Sequence, residues 1–259
     1  MPRKRSVCRL RSMLMTDALI IAAGFGSRLA SLSPSKPLTP VCGVPLIEIG
    51  IRQLAGVGVT RVVVATGHEA ARLEAFLAEL STRLGIAIEP ARVDDWSRPN
   101  GFSVLAGAER IAGEYLLVMA DHMFEAAILA RLRSEGGPTR GVTLAIDHRV
   151  ASPLVDPDDA TWVRLGEDAR ITAIGKTIAP YDAVDCGAFL ATPELAASLR
   201  AAIADGATGS LSDGMQRLAA AGRAATMDVG KGWWLDVDDP RALALAEAEA
   251  PAHIPWLQT

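Results

Sequence analysis

The chain has 259 residues, 50% of them hydrophobic, and a formal net charge of −4. This is enough apolar material for one large core, in the range of about 200 to 250 residues that a single α/β domain commonly takes. No apolar run approaches the roughly 18 residues needed to cross a bilayer, which excludes membrane insertion of this polypeptide, and the mild acidity argues against nucleic-acid binding.

Residues 1–16 carry Arg3, Lys4, Arg5, Arg9 and Arg11 with no apolar segment after them, so they read as a basic, disordered tail rather than a secretory signal. Cys8, Cys42 and Cys186 lie far apart without C-x-x-C spacing. Neither a disulfide framework nor a zinc site is expected, and a reducing, cytoplasmic location fits. The apolar run at 18–22, closed by a glycine turn, predicts a central parallel strand covered on both faces. Gly24 and Gly26 then bare backbone N–H groups, and Arg28 and Lys36 place two cations eight residues apart on a Pro- and Ser-rich loop suited to anionic oxygens. Leu46, Ile49, Ile51, Leu54 and Val57 predict a buried helix, ended by Gly56 and Gly58. A strand follows at 61–67, His68 reads as a loop residue without a chemical role, and 69–84 is a helix with Leu73, Phe76, Leu77 and Leu80 on one face. A third strand near 86–93, a turn at 94–101, a helix at 102–111 and a fourth strand at 115–120, ending on Asp121, complete a strand–helix alternation that predicts a doubly wound parallel sheet.

The second half changes character. Strands are expected at 142–149, 161–165, 170–174 and 188–191, several of them antiparallel, with turns at Pro157-Asp158-Asp159 and Gly166-Glu167-Asp168. Helices are expected at 193–204, from about 212 to 221, and at 240–250. No Gly/Ser or Pro linker and no internal repeat is found, so one domain over residues 17–250, with a tail at 251–259, is expected. The fold class is α/β: a Rossmann-like, doubly wound, mostly parallel mixed sheet with an antiparallel flap.

Two phosphate motifs test the opening loop. The fingerprint G-x-G-x-x-G fits only with Leu29 where the third glycine belongs, and no Gly-Lys-Ser/Thr closes a Walker loop. The whole string is more specific: Ala22-Ala23-Gly24-Phe25-Gly26-Ser27-Arg28-Leu29, then Ser35-Lys36-Pro37-Leu38, then Gly43-Val44-Pro45-Leu46. It closely resembles the signature of the sugar-phosphate nucleotidyltransferases. The resemblance implies that the turn of Ala23, Gly24 and Gly26 holds a nucleotide and that Arg28 and Lys36 contact its phosphates as catalytic cations.

Asp121 stands at the carboxyl end of a central strand, the edge where open α/β sheets bind ligands. Alone, it reads equally well as an N-cap for the segment starting near Phe124. However, Trp234-Leu235-Asp236-Val237-Asp238-Asp239-Pro240 resembles the W-x-D-[IV]-D-T-P-E segment of the same family. That implies Asp121 and Asp236 as ligands of Mg²⁺, with Asp238 or Asp239 capping the next helix. Two carboxylates with phosphate oxygens and water form the hard shell that Mg²⁺ prefers. A phosphomonoester acceptor, with a second pKa of about 6, is ionised at neutral pH and needs no general base. Consistent with this, the chain shows no Ser-His-Asp order and no G-x-S-x-G elbow.

Asn100-Gly101-Phe102-Ser103, Met119-Ala120-Asp121-His122-Met123-Phe124, Ile174-Gly175-Lys176 and Ala183-Val184-Asp185-Cys186-Gly187-Ala188-Phe189 resemble strings of the inositol-1-phosphate cytidylyltransferases. Ala120 and Cys186 depart from the glycine and threonine of that pattern. The resemblance implies CTP and inositol 1-phosphate as substrates, with Asn100, Gly101 and Ser103 at the base and Lys176 and Asp185 at the acceptor. In that family the transferase is often joined to a membrane synthase, so a separate membrane-bound CDP-alcohol phosphatidyltransferase is the expected partner. Two alternatives stand beside it. One is a cytidylyltransferase for phosphocholine or 2-aminoethylphosphonate, for whose ammonium Tyr181, Trp233 and Trp234 could form an aromatic box. The other is another sugar-1-phosphate nucleotidyltransferase.

Overall fold

The computed structural model describes residues 17–30, 32–136 and 140–258, so the expected tail at 1–16 lies outside the described residues. Strand β1 (Asp17–Ala22) leads into two single 3-10 turns, Ser27–Leu29 and Lys36–Leu38, and a small hairpin of β2 (Pro40–Val41) and β3 (Val44–Pro45). Then come α1 (Leu46–Gly56), β4 (Arg61–Thr66), α2 (Ala70–Leu84), β5 (Ala87–Arg92), α3 (Gly101–Ala108) and β6 (Tyr115–Met119). The chain continues through β7 (His122–Phe124), α4 (Ala126–Glu135), β8 (Val142–Asp147), β9 (Trp162–Leu165), β10 (Ile171–Gly175) and β11 (Ala183–Ala191). It ends with α5 (Pro193–Ala204), α6 (Leu211–Ala220), β12 (Ala224–Asp228), β13 (Trp234–Asp236) and α7 (Pro240–His253).

Strand β1 is apolar from Ala18 onward because it lies between two helical layers. Ala18, Ile20 and Ala22 pack with Ile47 and Ile51 of α1, Leu73 and Leu77 of α2 and Leu129 of α4. Leu19 and Ile21 face the other way, with Val104 of α3, Leu199 of α5 and Met215 of α6. The alternation of period two thus serves two cores at once. Strands β4 and β5 follow one another on one side of β1, and β6 returns to pair with its other side, all in parallel. The connections after β1 and β6 therefore diverge and leave a crevice at the carboxyl ends of these strands.

Strand β11 runs antiparallel to β6 and continues the sheet to β8 and then β12. Its register breaks between Asp185 and Phe189, around Gly187, whose φ is +74°. The bulge turns the first half of β11 away from β6, so that it pairs with β9, which in turn pairs with β10. This is the antiparallel flap of a mixed sheet, as the sequence leads one to expect. Away from the main sheet, β7 and β13 form an antiparallel ribbon that sets His122 opposite Asp236.

The ribbon and β12 are not anticipated above, and α4 answers to the capped segment expected near Phe124. Three-residue strands carry no readable period and exist only because two distant segments meet. The described part of the expected tail at 251–259, residues 251–258, is docked: α7 runs on to His253, and Ile254 and Leu257 are buried against Val41, Met123 and Leu235. Two apolar residues are enough to dock it. No described helix is long and apolar enough to cross a membrane.

Candidate functional site

Beyond β1 the backbone turns sharply, and Gly26 takes φ +63°, where a Cβ would collide with the Lys36 side chain. The missing Cβ lets the Lys36 stem lie across the turn and bring its ammonium to the ends of β1 and β6. Lys36 Nζ there pairs with Asp121 and Asp238. Arg28 also pairs with Asp238, and reaches Asp159 at 2.6 Å and Asp156 at 3.4 Å. These residues ring a cavity of about 250 Å³ lined by Gly24, Gly26, Arg28, Lys36, Asp121 and Asp238.

A second cavity of about 310 Å³ adjoins it, sharing Gly24, Asp121 and Asp238. Ala23, Asn100, Ser103, Lys176, Asp185 and Asp236 also line it. Asn100 accepts a hydrogen bond on Oδ1 from the Leu211 amide at 2.8 Å, fastening the start of α3 to that of α6. Gly101 lines neither cavity and packs instead against the Gly209 carbonyl and Leu199. Lys176, just beyond β10, pairs with Asp159. Asp185 accepts the Gly187 amide at 2.7 Å across the bulge.

The ribbon of β7 and β13 supplies the floor between the two cavities. His122 Nδ1 donates to Asp121 Oδ1 at 2.8 Å and lies 3.7 Å from Asp236 Oδ1. Its ring stacks on Trp234, whose Nε1 donates to buried Asp147 at 2.8 Å, and fills the space where a side chain on Gly187 would be. Burial opposes a charge on His122, but Asp236, Asp121 and Asp185 together outweigh it and push the pKa up to about 9. Burial also raises Asp236, to about 7, with Asp121 and Asp159 adding to the rise and His122 and Arg28 opposing it. Asp185 is pushed up to about 6 by burial, against the Gly187 amide and His122.

Asp236 Oδ1 is buried and accepts no hydrogen bond. It lies in a group with Asp121 and His122 whose candidate ligand atoms are all within 4.8 Å of one another. With His122 Nδ1 turned to Asp121, the group offers two carboxylate oxygens, which suit a hard divalent cation. Asp121 and Asp236 thus fit a metal of that class.

Several residues of the site go beyond the sequence reading. Helix α4 takes Glu125, not Asp121, at its N-cap position, because β7 intervenes. Of the two aspartates left open as caps, Asp239 does so by accepting the Ala242 amide at 2.7 Å, whereas Asp238 turns to the cations. Asp159 reads as a turn residue after Pro157, Asp156 carries no reading, and nothing in their spacing marks them as partners of Arg28, over 120 residues away in the chain. His122 stands inside a quoted string without a role assigned to it. The three rings of the suggested aromatic box do not converge: Tyr181 stacks on Trp162 at 4.1 Å, Trp233 on His253 at 4.9 Å and Trp234 on His122 at 6.2 Å.

Comparison with known proteins agrees with this architecture. The Rubrobacter xylanophilus bifunctional IPC transferase and DIPP synthase is 35% identical over 234 residues, 89% of this chain and 51% of that protein. The Aquifex aeolicus protein of the same name is 28% identical over 90% of this chain and 51% of its own length. The chain spans about half the length of these curated relatives. The structure of the inositol-1-phosphate CTP transferase from T. maritima superposes with a TM-score of 0.79 at 24% identity, covering 92% of this chain and 96% of that one. The family profile of the MobA-like NTP transferase domain matches residues 18–217, from β1 through most of α6, and takes in Arg28, Lys36, Lys176 and Asp121. The glycine turn, the crevice and the sheet around it are therefore those of a known family, and the chain belongs to the MobA-like NTP transferases.

Proposed function

We propose that the chain joins CTP and inositol 1-phosphate to give CDP-inositol and pyrophosphate. The observation that carries this reading is the pair of adjoining cavities, one holding Arg28 and Lys36 and the other Lys176 and Asp185, with Asp121 shared between them. Two phosphate-bearing ligands held at these two ends meet beside the same carboxylate. The T. maritima neighbour, an inositol-1-phosphate CTP transferase, and the two IPC transferase relatives support the choice of base and acceptor.

In this reading an oxygen of the acceptor phosphate attacks the α-phosphorus of CTP. The new bond is a phosphoanhydride, the bond to the bridging oxygen before the β-phosphorus breaks, and its electron pair leaves with pyrophosphate. No proton has to move, because the attacking dianion is ionised at neutral pH. Lys36 and Arg28 exchange their carboxylate partners for nucleotide phosphates and stabilise the charge that grows there. Asp121 and Asp236 would hold Mg²⁺, which when bound would supply further neutralisation of phosphate charge. His122 holds the Asp121 carboxylate in place through its 2.8 Å hydrogen bond. Lys176 meets the acceptor phosphate, and Asp185 accepts hydrogen bonds from neighbouring ring hydroxyls. Asn100 and Ser103 are assigned to the base, and Gly101 to the packing that positions them. Work in the cytoplasm, with the product passed to a separate membrane-bound CDP-alcohol phosphatidyltransferase, belongs to the same proposal.

The test is a panel of four nucleoside triphosphates against several phosphomonoesters, read by pyrophosphate release. CTP with inositol 1-phosphate is expected to give the highest kcat/KM. Comparable values with GTP, or a preference for phosphocholine, contradict the base or the acceptor assignment respectively.

A further inference from the structure

The segment from 151 to 160 contributes Pro153, Leu154, Val155, Asp156, Asp159 and Ala160 to the wall of the larger cavity. Its carboxylates are not spread at random. Asp159 Oδ2 accepts Arg28 Nη2 at 2.6 Å, while its other oxygen, Oδ1, pairs with Lys176 Nζ. Asp156 reaches Arg28 alone, at 3.4 Å. A third cation of the rim, Arg241, holds the same segment through the Pro153 carbonyl at 3.1 Å. One aspartate thus sits between the cation assigned to the nucleotide phosphates and the cation assigned to the acceptor phosphate.

We infer that Asp159 is an internal counter-anion that screens Arg28 and Lys176 together, so that segment 151–160 is strapped to both cations and is released when phosphates displace the carboxylate from them. This rests on the assignment of Lys176 and Arg28 to two phosphate ligands. The physical basis is competition for the same donors. A carboxylate brings one negative charge, whereas a phosphomonoester carries about −1.5 to −2 at pH 7, so it outcompetes Asp159 where a singly charged ligand only breaks even. Asp159 also lies beside Asp236 and Asp238, with a ligand atom of each within 4.8 Å of the others. Their mutual repulsion lowers the cost of moving it away. The strap therefore acts as a charge filter: ligands with fewer than two negative charges gain little by entering.

The experiment is calorimetric titration of the free protein, without metal, with inositol 1-phosphate, with inorganic phosphate and with CTP, for wild type, Asp159→Asn, Asp156→Asn, Lys176→Ala and Lys176→Ala/Asp159→Asn. Removing one partly exposed ion pair is worth at most about fivefold in affinity. Asp159→Asn is expected to tighten all three ligands by about that factor. Asp156→Asn is expected to tighten CTP alone, because its carboxylate touches Arg28 and not Lys176. In the Lys176→Ala background the gain for inositol 1-phosphate and inorganic phosphate should vanish while the gain for CTP remains. A gain in affinity cannot come from a damaged fold. Unchanged or weaker binding of CTP and inorganic phosphate by Asp159→Asn overturns the inference. If inositol 1-phosphate binds neither wild type nor variant while inorganic phosphate still shows the gain, the acceptor assignment fails and the screening role stands.

Discussion

At the β1 end of the site the two cations come from one short stretch, Arg28 and Lys36, and both are held by carboxylates that another anion can replace. At the β11 end the groups come from four distant segments, and Asp147, Trp234, His122 and Gly187 hold one another through a buried hydrogen bond, a stacked ring pair and a missing Cβ. The first end is an exchangeable charge cradle; the second is a preformed wall. A ligand can change the partners of Arg28 without disturbing the packed core, whereas nothing at the wall moves without breaking packing. The two ends should therefore respond to mutation in different currencies, catalysis at one and shape or stability at the other.

The sharpest break of that contrast falls on the carboxylates between the two ends. Asp121→Asn or Asp236→Asn is expected to abolish metal-dependent turnover, because the remaining donors no longer offer a pair of carboxylate oxygens. Metal-free thermal melting should not fall for Asp236→Asn, whose Oδ1 accepts no hydrogen bond from the described residues, and should fall only slightly for Asp121→Asn, whose amide oxygen can still accept from His122 or Lys36. A collapse of metal-free melting would make these residues structural and place them with the wall. Next in size, Lys36→Ala should lower kcat by about 10² to 10³ with melting temperature near wild type, the loss typical of one preorganised charge-stabilising donor. Near-normal turnover in the folded variant removes Lys36 from the mechanism.

The wall gives smaller effects with another signature. Gly187→Ala forces a Cβ into the His122 ring at φ +74°. A misplaced acceptor should cost about 10- to 100-fold in kcat/KM for the phosphomonoester while KM for CTP holds; equal loss for both substrates would deny that the two ends are separable. The smallest effect is expected at Asp147. Burial raises its carboxyl, but hydrogen bonds from Arg149 and Trp234 outweigh this and hold it below the ordinary carboxylate range. A depressed folded pKa means stability that is present above the unfolded value of about 3.9 and lost as pH falls through the lower folded value. Asp147→Asn should thus lower the urea midpoint at pH 7, by about 1 to 3 kcal/mol in unfolding free energy. The deficit should shrink as pH falls below about 4, and a pH-independent deficit would assign it to packing alone.

The same contrast explains what the sequence makes legible. The cradle lies within a single string, so Gly24, Gly26, Arg28 and Lys36 could be picked out by adjacency and by the turn chemistry around them. Strand β1 and Asp121 are readable because a buried parallel strand is a continuous apolar run with a sharp end. The wall is not readable in this way. Trp234 and Asp147 are 87 residues apart, and β7 and β13 are three residues each, too short for any period. Asp238 and Asp239 are chemically identical neighbours, and only the direction in which the chain enters α7 decides which caps and which faces the cations. The segment 251–257 carries just two buried apolar residues, and their docking depends on a surface made by β2, β7 and β13.

The central claim is direct attack of an acceptor phosphate on the α-phosphorus, and it is tested most directly by isotope transfer. Inositol 1-phosphate labelled with ¹⁸O in its phosphate group is incubated with CTP, Mg²⁺ and the protein, and the products are resolved by ³¹P NMR. The account predicts CDP-inositol that retains every label, one ¹⁸O now bridging the two phosphorus atoms, and pyrophosphate that carries none. Label in the pyrophosphate, or release of CMP and unlabelled pyrophosphate with inositol 1-phosphate left intact, would contradict it.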